Sequence, residues 1–131
     1  MKVPADHARL LMKKAAHDLA AARATLASEE ALDMVCFHAQ QAVEKSLKAI
    51  FALHEIDYPR RHDLAELLEL VKPLAPDIAP FTDSIINMTP FAVQIRYDAE
   101  FDPGFDQANQ ALRTAIDVNQ LVEHLIASSE S

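Results

Sequence analysis

The sequence predicts an all-α protein, an antiparallel bundle of four main helices with an irregular connector before the last one. Three observations predict it. Alanine and leucine, both strong helix formers, recur from end to end. One glycine in 131 residues leaves almost no position suited to a tight hairpin turn. Apolar residues repeat every three or four positions through most of the chain, which places them on one side of a helix.

The first helix is expected from Asp6 to Ala27, where Leu11, Ala15, Leu19, Ala22 and Leu26 form the apolar stripe and Lys13, Lys14 and Arg23 stay outside it. Ser28 is a candidate N-cap for a second helix reaching about Glu55, with Cys36, Ala39, Val43, Leu47, Ile50 and Leu53 on one face. Asp63 followed by Glu66 has capping-box spacing and opens a third, short helix through Leu64, Leu67, Leu68 and Val71 to a stop at Pro73. Pro73, Pro76, Pro80 and Pro90 interrupt the next stretch and confine any helix there to Phe81–Met88. Phe91, Val93, Ile95 and Tyr97 alternate like a strand, but no second strand exists to pair with them, so this segment reads as an extended connector. Asp102 and Pro103 offer a cap and a first-turn proline for a last helix, carried by Ala108, Leu112, Ala115, Val118, Val122 and Leu125 to about Ala127, with the terminal SSES loose.

A chain of 131 residues fits one domain, and no repeat or polar linker divides it. The lone Cys36 cannot form an internal disulfide, and no signal pattern opens the chain, so a cytoplasmic setting is expected. Apolar stretches are too short to span a bilayer. A net charge of -8 opposes non-specific attraction to nucleic acid or acidic membranes, although a local basic patch can still hold a phosphate.

On the second helix Gln41, Glu44 and Lys48 form a polar row beside the apolar face, with Gln40 at the boundary. Glu44 and Lys48 have the favourable order for a helix ion pair, worth roughly 0.2 to 0.5 kcal/mol. Spacing alone makes this row a solvated face. Arg60, Arg61 and His62 make the densest basic cluster, either a solvated loop or an anion contact where the third helix begins. Cys36 falls on an apolar face and reads as a small buried hydrophobe. Glu-x-x-His metal spacing does not occur, and one glycine excludes a Gly-rich phosphate loop, so no metal or cofactor is expected.

Four segments in order, AHDLAAA (Ala16 to Ala22), FHAQQAVEKSLKAIF (Phe37 to Phe51), RHDLAELL (Arg61 to Leu68) and IRYD (Ile95 to Asp98), resemble the HEPN family, the nucleotide-associated helical domains of higher eukaryotes and prokaryotes. The resemblance covers nearly the whole chain and implies a single helical domain over residues 1–131 that commonly dimerises, is often encoded beside a small nucleotidyltransferase, and includes RNA-cleaving toxins. It also implies that Gln41, Glu44 and Lys48 line a cleft with Arg96, and it makes Tyr97, Arg61 and His62 further candidates for binding a nucleotide or RNA phosphate. Nuclease members resemble one another at an Arg followed, after four to six residues, by a His suited to proton transfer near neutral pH. Arg96 is present, but the matching positions are Phe101, Asp102 and Pro103. Phenylalanine and proline have no proton to give, and an ordinary aspartate is already ionised. The expectation is therefore a non-catalytic binding module, a homodimer that holds a nucleotide phosphate or a nucleotidyltransferase partner. The alternatives are a divergent metal-independent ribonuclease toxin of a toxin-antitoxin pair, which would need His62, His124 or another residue to supply the proton, and a purely structural dimeric module.

Overall fold

The computed structural model describes residues 3–58, 63–88 and 100–130, and among these every regular element is helical. The first helix, α1, spans Pro4–Ser28. Pro4 suits its first turn because its missing N–H would have no helical partner there, and the Asp6 carboxylate accepts from Val3 N–H at 3.4 Å. The helix runs to Ser28, so Ser28 closes α1 and does not cap the next helix as its residue type suggests. Its hydroxyl donates to the Thr25 carbonyl at 2.7 Å, meeting one of the carbonyls that a helix end leaves orphaned, and accepts from Glu30 N–H at 3.3 Å in the turn.

The second helix, α2, spans Leu32–Leu53, two residues short of the expected end at Glu55. The chain reverses between α1 and α2 through left-handed backbone at Glu29 (φ 56) and Ala31 (φ 50). It leaves α2 the same way: Glu55 has φ 57, its N–H donates to the Ala52 carbonyl at 3.1 Å, and Ile56 N–H donates to Phe51 at 3.0 Å. These two bonds are the Schellman pattern, with Glu55 where glycine is usual.

The short helix α3, Leu64–Val71, begins as its sequence predicts, with Asp63 Oδ1 accepting from Ala65 N–H at 3.0 Å and Glu66 N–H at 3.4 Å. A 3₁₀ turn over Pro76–Phe81, which tolerates Pro80, leads into α4, Thr82–Ile86, inside the window that the prolines leave open. The strand-like stretch from Phe91 to Tyr97 lies outside the described residues. The last helix, α5, spans Phe105–Ser129. Its N-cap is Gly104, whose carbonyl accepts the first helical bond from Ala108 N–H at 3.1 Å, so Asp102 and Pro103 stand before the helix and neither caps nor opens it. At the other end Ser128 and Ser129, expected to be loose, remain helical, with Ser129 Oγ donating to the Ile126 carbonyl at 2.7 Å.

Helix α2 is the centre of the bundle and packs against α1, α3 and α5. Arg9, near the start of α1, pairs with Glu130 just past the end of α5. The beginning of α1 and the ends of α2 and α5 also line one groove, through Pro4, Leu53 and Ser129 among others. Helix α1 therefore runs antiparallel to both neighbours, while α2 and α5 run in the same direction because α3, α4 and their connections carry the chain back between them. The core gathers Leu19 from α1, Val43, Leu47, Ile50 and Phe51 from α2, Leu64, Leu67 and Leu68 from α3, and Val118, Val122 and Ile126 from α5. Several of these side chains are completely buried, each contributing about 1.5 to 3 kcal/mol relative to exposure.

Candidate functional site

With neighbours on three sides, α2 has no broad solvated face. Glu44 is 2% exposed and Gln40 fully buried, while Gln41 and Lys48 are partly buried, so the row is not the fully solvated face that spacing alone suggests. Lys48 Nζ donates to Glu44 Oε2 at 3.2 Å, with 13% of the lysine side chain exposed, and the ammonium lies 5.3 Å from the centroid of the Tyr58 ring. Lys48 thus meets a carboxylate and an aromatic face together, both favourable to a poorly hydrated cation. Gln41 Nε2 donates to Gln40 Oε1 at 2.7 Å, while Gln40 Nε2 finds no acceptor among the described residues.

A second polar cluster joins α2 to α1. Asp18, nearly buried, bonds His38 Nδ1 through Oδ1 at 2.9 Å and accepts from Lys45 Nζ through Oδ2 at 2.5 Å. Positions 38, 41, 45 and 48 step by three or four along α2, so the two clusters are continuous on the helix surface. Spacing within a single helix does not single out Asp18, His38 and Lys45. Their signal lies in the AHDLAAA and FHAQQAVEKSLKAIF segments, but the contacts cross 20 and 27 positions and appear only once α1 folds back on α2. Both α2 lysines of this surface thereby have a carboxylate partner within the protein.

The structure brings Gln41, Glu44 and Lys48 together on α2, whereas Arg61, His62, Arg96 and Tyr97 lie outside the described residues, as does Arg60. The positions after Arg96 at nuclease spacing are described: Phe101 packs partly buried against the core, Asp102 is exposed, and Pro103 is buried. Cys36 is fully buried on α2. Burial pushes its thiol up to about 11, with the nearby negative charge of Asp33 adding to the effect, so it packs as an apolar group and is a poor nucleophile. Among the described residues no three His, Cys, Asp or Glu side chains gather where a metal ion could be held, and no helix is long and apolar enough to cross a membrane.

Comparison with known proteins agrees with the family resemblance. No curated protein and no solved structure matches the chain significantly. The family model described as HEPN domain matches residues 8–125, from the first turns of α1 almost to the end of α5. With most of its length and all of its long helices inside that match, the chain belongs to the HEPN domain family.

Proposed function

We propose that this chain is a non-catalytic binding module of its family, a homodimer that works in the cytoplasm and holds a nucleotide phosphate or a nucleotidyltransferase partner. The observation that carries the reading is the fate of the positions after Arg96. Phe101 is turned onto the core and Pro103 is buried, neither with a side-chain proton to give, and Asp102 is exposed, so none of the three is a histidine placed for proton transfer. An arginine without that partner keeps its attraction for phosphate and loses the acid-base step of cleavage. On α2 the cations are already spent on Asp18 and Glu44. Phosphate affinity is accordingly assigned first to Arg96 and to the Arg60, Arg61 and His62 cluster, with the partly exposed Lys48 beside them.

Calorimetry with ATP and with tripolyphosphate at low and high salt, on the wild type and on Arg96→Ala and Arg61→Ala, tests this beside an RNA cleavage assay. The expected result is intact single-stranded RNA and a salt-sensitive affinity that one of the two substitutions removes. Robust cleavage by the unaltered chain, lost in Arg96→Ala, would establish the ribonuclease toxin instead. The absence of heat with every phosphate ligand would leave the nucleotidyltransferase partner, to be tested by co-purification with that protein.

A structural role for the polar row stands beside this reading, favoured by one observation. Gln40 and Glu44 are buried in the bundle, and Asp18 of α1 bonds both His38 and Lys45 of α2, contacts that would tie the register of α2 to that of α1.

A further inference from the structure

Positive charge collects on the outer side of α1, in a chain whose net charge is -8. The helix holds four of the twelve lysines and arginines but two of the twenty acids, Asp6 and Asp18, and Asp18 is turned inward onto His38 and Lys45. From His7 to Ser28 its solvent side therefore carries no carboxylate. Arg9 bonds Glu130, while Lys13, Lys14 and Arg23 are exposed and have no ion-pair partner among the described residues. Asp117 and Glu123 of the neighbouring α5 form no ion pair with them either.

The spacing is as informative as the charge. Arg9, Lys13, Ala16, Ala20, Arg23 and Ala27, all exposed, follow one another at alternating steps of four and three, the repeat by which one helix seats against another along a seam. This seam is separate from the buried stripe that runs from Ala8 through Ala15 to Ala22 and already faces the bundle. Helix α1 thus has two packing faces, and the bundle occupies one. The exposed alanines let a second backbone come close, with axes at the short end of the usual 8 to 10 Å or so. Lys13 and Arg23 bracket them, ten residues or about 15 Å apart along the axis. Phe105, 44% exposed, stands beside the Arg23 and Ala27 end.

We propose that this seam docks an acidic helix of another protein. A second copy in two-fold contact would set cation against cation, which like charges oppose. Nucleic acid would meet the charge but not the pattern, because between its cations the seam presents methyl groups and no amide, hydroxyl or aromatic ring for a sugar or a base. A helix with small residues and carboxylates along one face satisfies both: its backbone approaches the alanines, its carboxylates meet Lys13 and Arg23, and Phe105 offers an apolar contact at one end. The inference is independent of phosphate binding at Arg96 or Arg61.

The experiment titrates the isotope-labelled full chain by NMR with an alanine-based helical peptide of about 20 residues, long enough to hold a helix alone, whose glutamates lie on one face. A peptide of the same composition with its glutamates spread around the helix, and a 20-nucleotide oligouridylate of roughly equal reach, are titrated in parallel. The one-faced peptide should bind saturably, shift the α1 resonances from Arg9 to Ala27, and weaken as salt is raised. Lys13→Glu should reduce its affinity about tenfold or more, whereas Lys14→Glu, the same change of charge one residue off the seam, should reduce it less than about threefold. Ala20→Gln, which adds bulk at an exposed position without altering charge, should also reduce it, and circular dichroism melts should show all three variants folded. Equal binding of the two peptides, equal losses in Lys13→Glu and Lys14→Glu, or indifference to Ala20→Gln would reduce the effect to general attraction of a polyanion and overturn the proposal. Shifts confined to other helices, or tighter binding of the oligouridylate on α1, would overturn it as well, as would a salt-sensitive self-association of the chain in sedimentation that Lys13→Glu abolishes.

Discussion

Neutralising Asp18 should separate α1 from α2 energetically without changing the volume of either. Asp18→Asn keeps the side-chain shape and removes the charge that Lys45 meets at 2.5 Å and His38 at 2.9 Å. The site is close to dry at the carboxylate, with side-chain exposure of 11%, and wetter at Lys45, where it is 28%. A charge-assisted hydrogen bond contributes about 1.5 to 3 kcal/mol, and breaking a fully buried pair costs about 3 to 5 kcal/mol. Because the lysine tip can turn to water, Asp18→Asn should fall between an exposed and a buried pair, at roughly 2 kcal/mol. Lys45→Met should cost less, about 1 kcal/mol, since His38 still holds the carboxylate and the methionine keeps the packing of the stem. Urea unfolding followed by circular dichroism reads both single variants and the double variant. With a slope of about 1 to 3 kcal/mol per molar for a domain of this size, the aspartate substitution should move the midpoint by roughly 1 M. The double-mutant cycle should return a coupling of about 1 kcal/mol between residues 18 and 45. A coupling indistinguishable from zero would mean that the pair behaves as a solvated surface contact and that the cluster does not hold α1 in register.

Glu55→Gly should stabilise the protein by about 0.5 to 1 kcal/mol, seen as a rise of a few degrees in Tm, because Glu55 occupies the left-handed C′ position of a Schellman motif; a fall would refute that backbone assignment. Asp63→Ala should cost about 1 kcal/mol by urea titration, through loss of the bonds to Ala65 and Glu66 N–H. Cys36, pushed from 9.0 to about 11, keeps its proton in the folded chain to higher pH than in the unfolded one. Its contribution is therefore fully present below about pH 9 and fades as pH rises toward 11, a loss on the order of 2 kcal/mol that Cys36→Ala should remove from the alkaline stability profile. Phe101→His restores the nuclease spacing after Arg96 but withdraws an aromatic ring packed on the core; it should lower Tm and leave RNA cleaved weakly at best, because a proton donor also needs orientation and support.

Fold class and helix order are legible because apolar periodicity survives without any knowledge of partners, as the stripe from Leu11 to Leu26 and the capped start at Asp63 show. Helix ends are less so. Glu29, Ala31 and Glu55 take left-handed backbone that residue type assigns to glycine, and the chain has almost none to mark the turns. Ser28 misleads for a related reason: a serine hydroxyl serves a helix end as readily as a start, and only the backbone at Glu29 decides between them. In the candidate site, Gln41, Glu44 and Lys48 are recognisable as one row, but their burial is not, since it depends on how many helices surround α2. A helix with one neighbour would leave that row in water. With three it becomes an internal network.

That difference changes what a loss of function would mean. Replacing Glu44 or Lys48 disturbs a pair whose side chains are almost entirely covered, so any drop in binding would be mixed with loss of the folded population. Most of the chain's charge is negative, and the lysines that α2 could have presented to a phosphate are held by Glu44 and Asp18. Any phosphate affinity must then come from a local cluster working against the net field, and it should fall steeply with salt. On the proposed reading, the slope of phosphate affinity against salt should flatten in Arg96→Ala or Arg61→Ala, whereas an effect of a substitution in the α2 row counts as binding only after the loss of folded fraction has been taken into account.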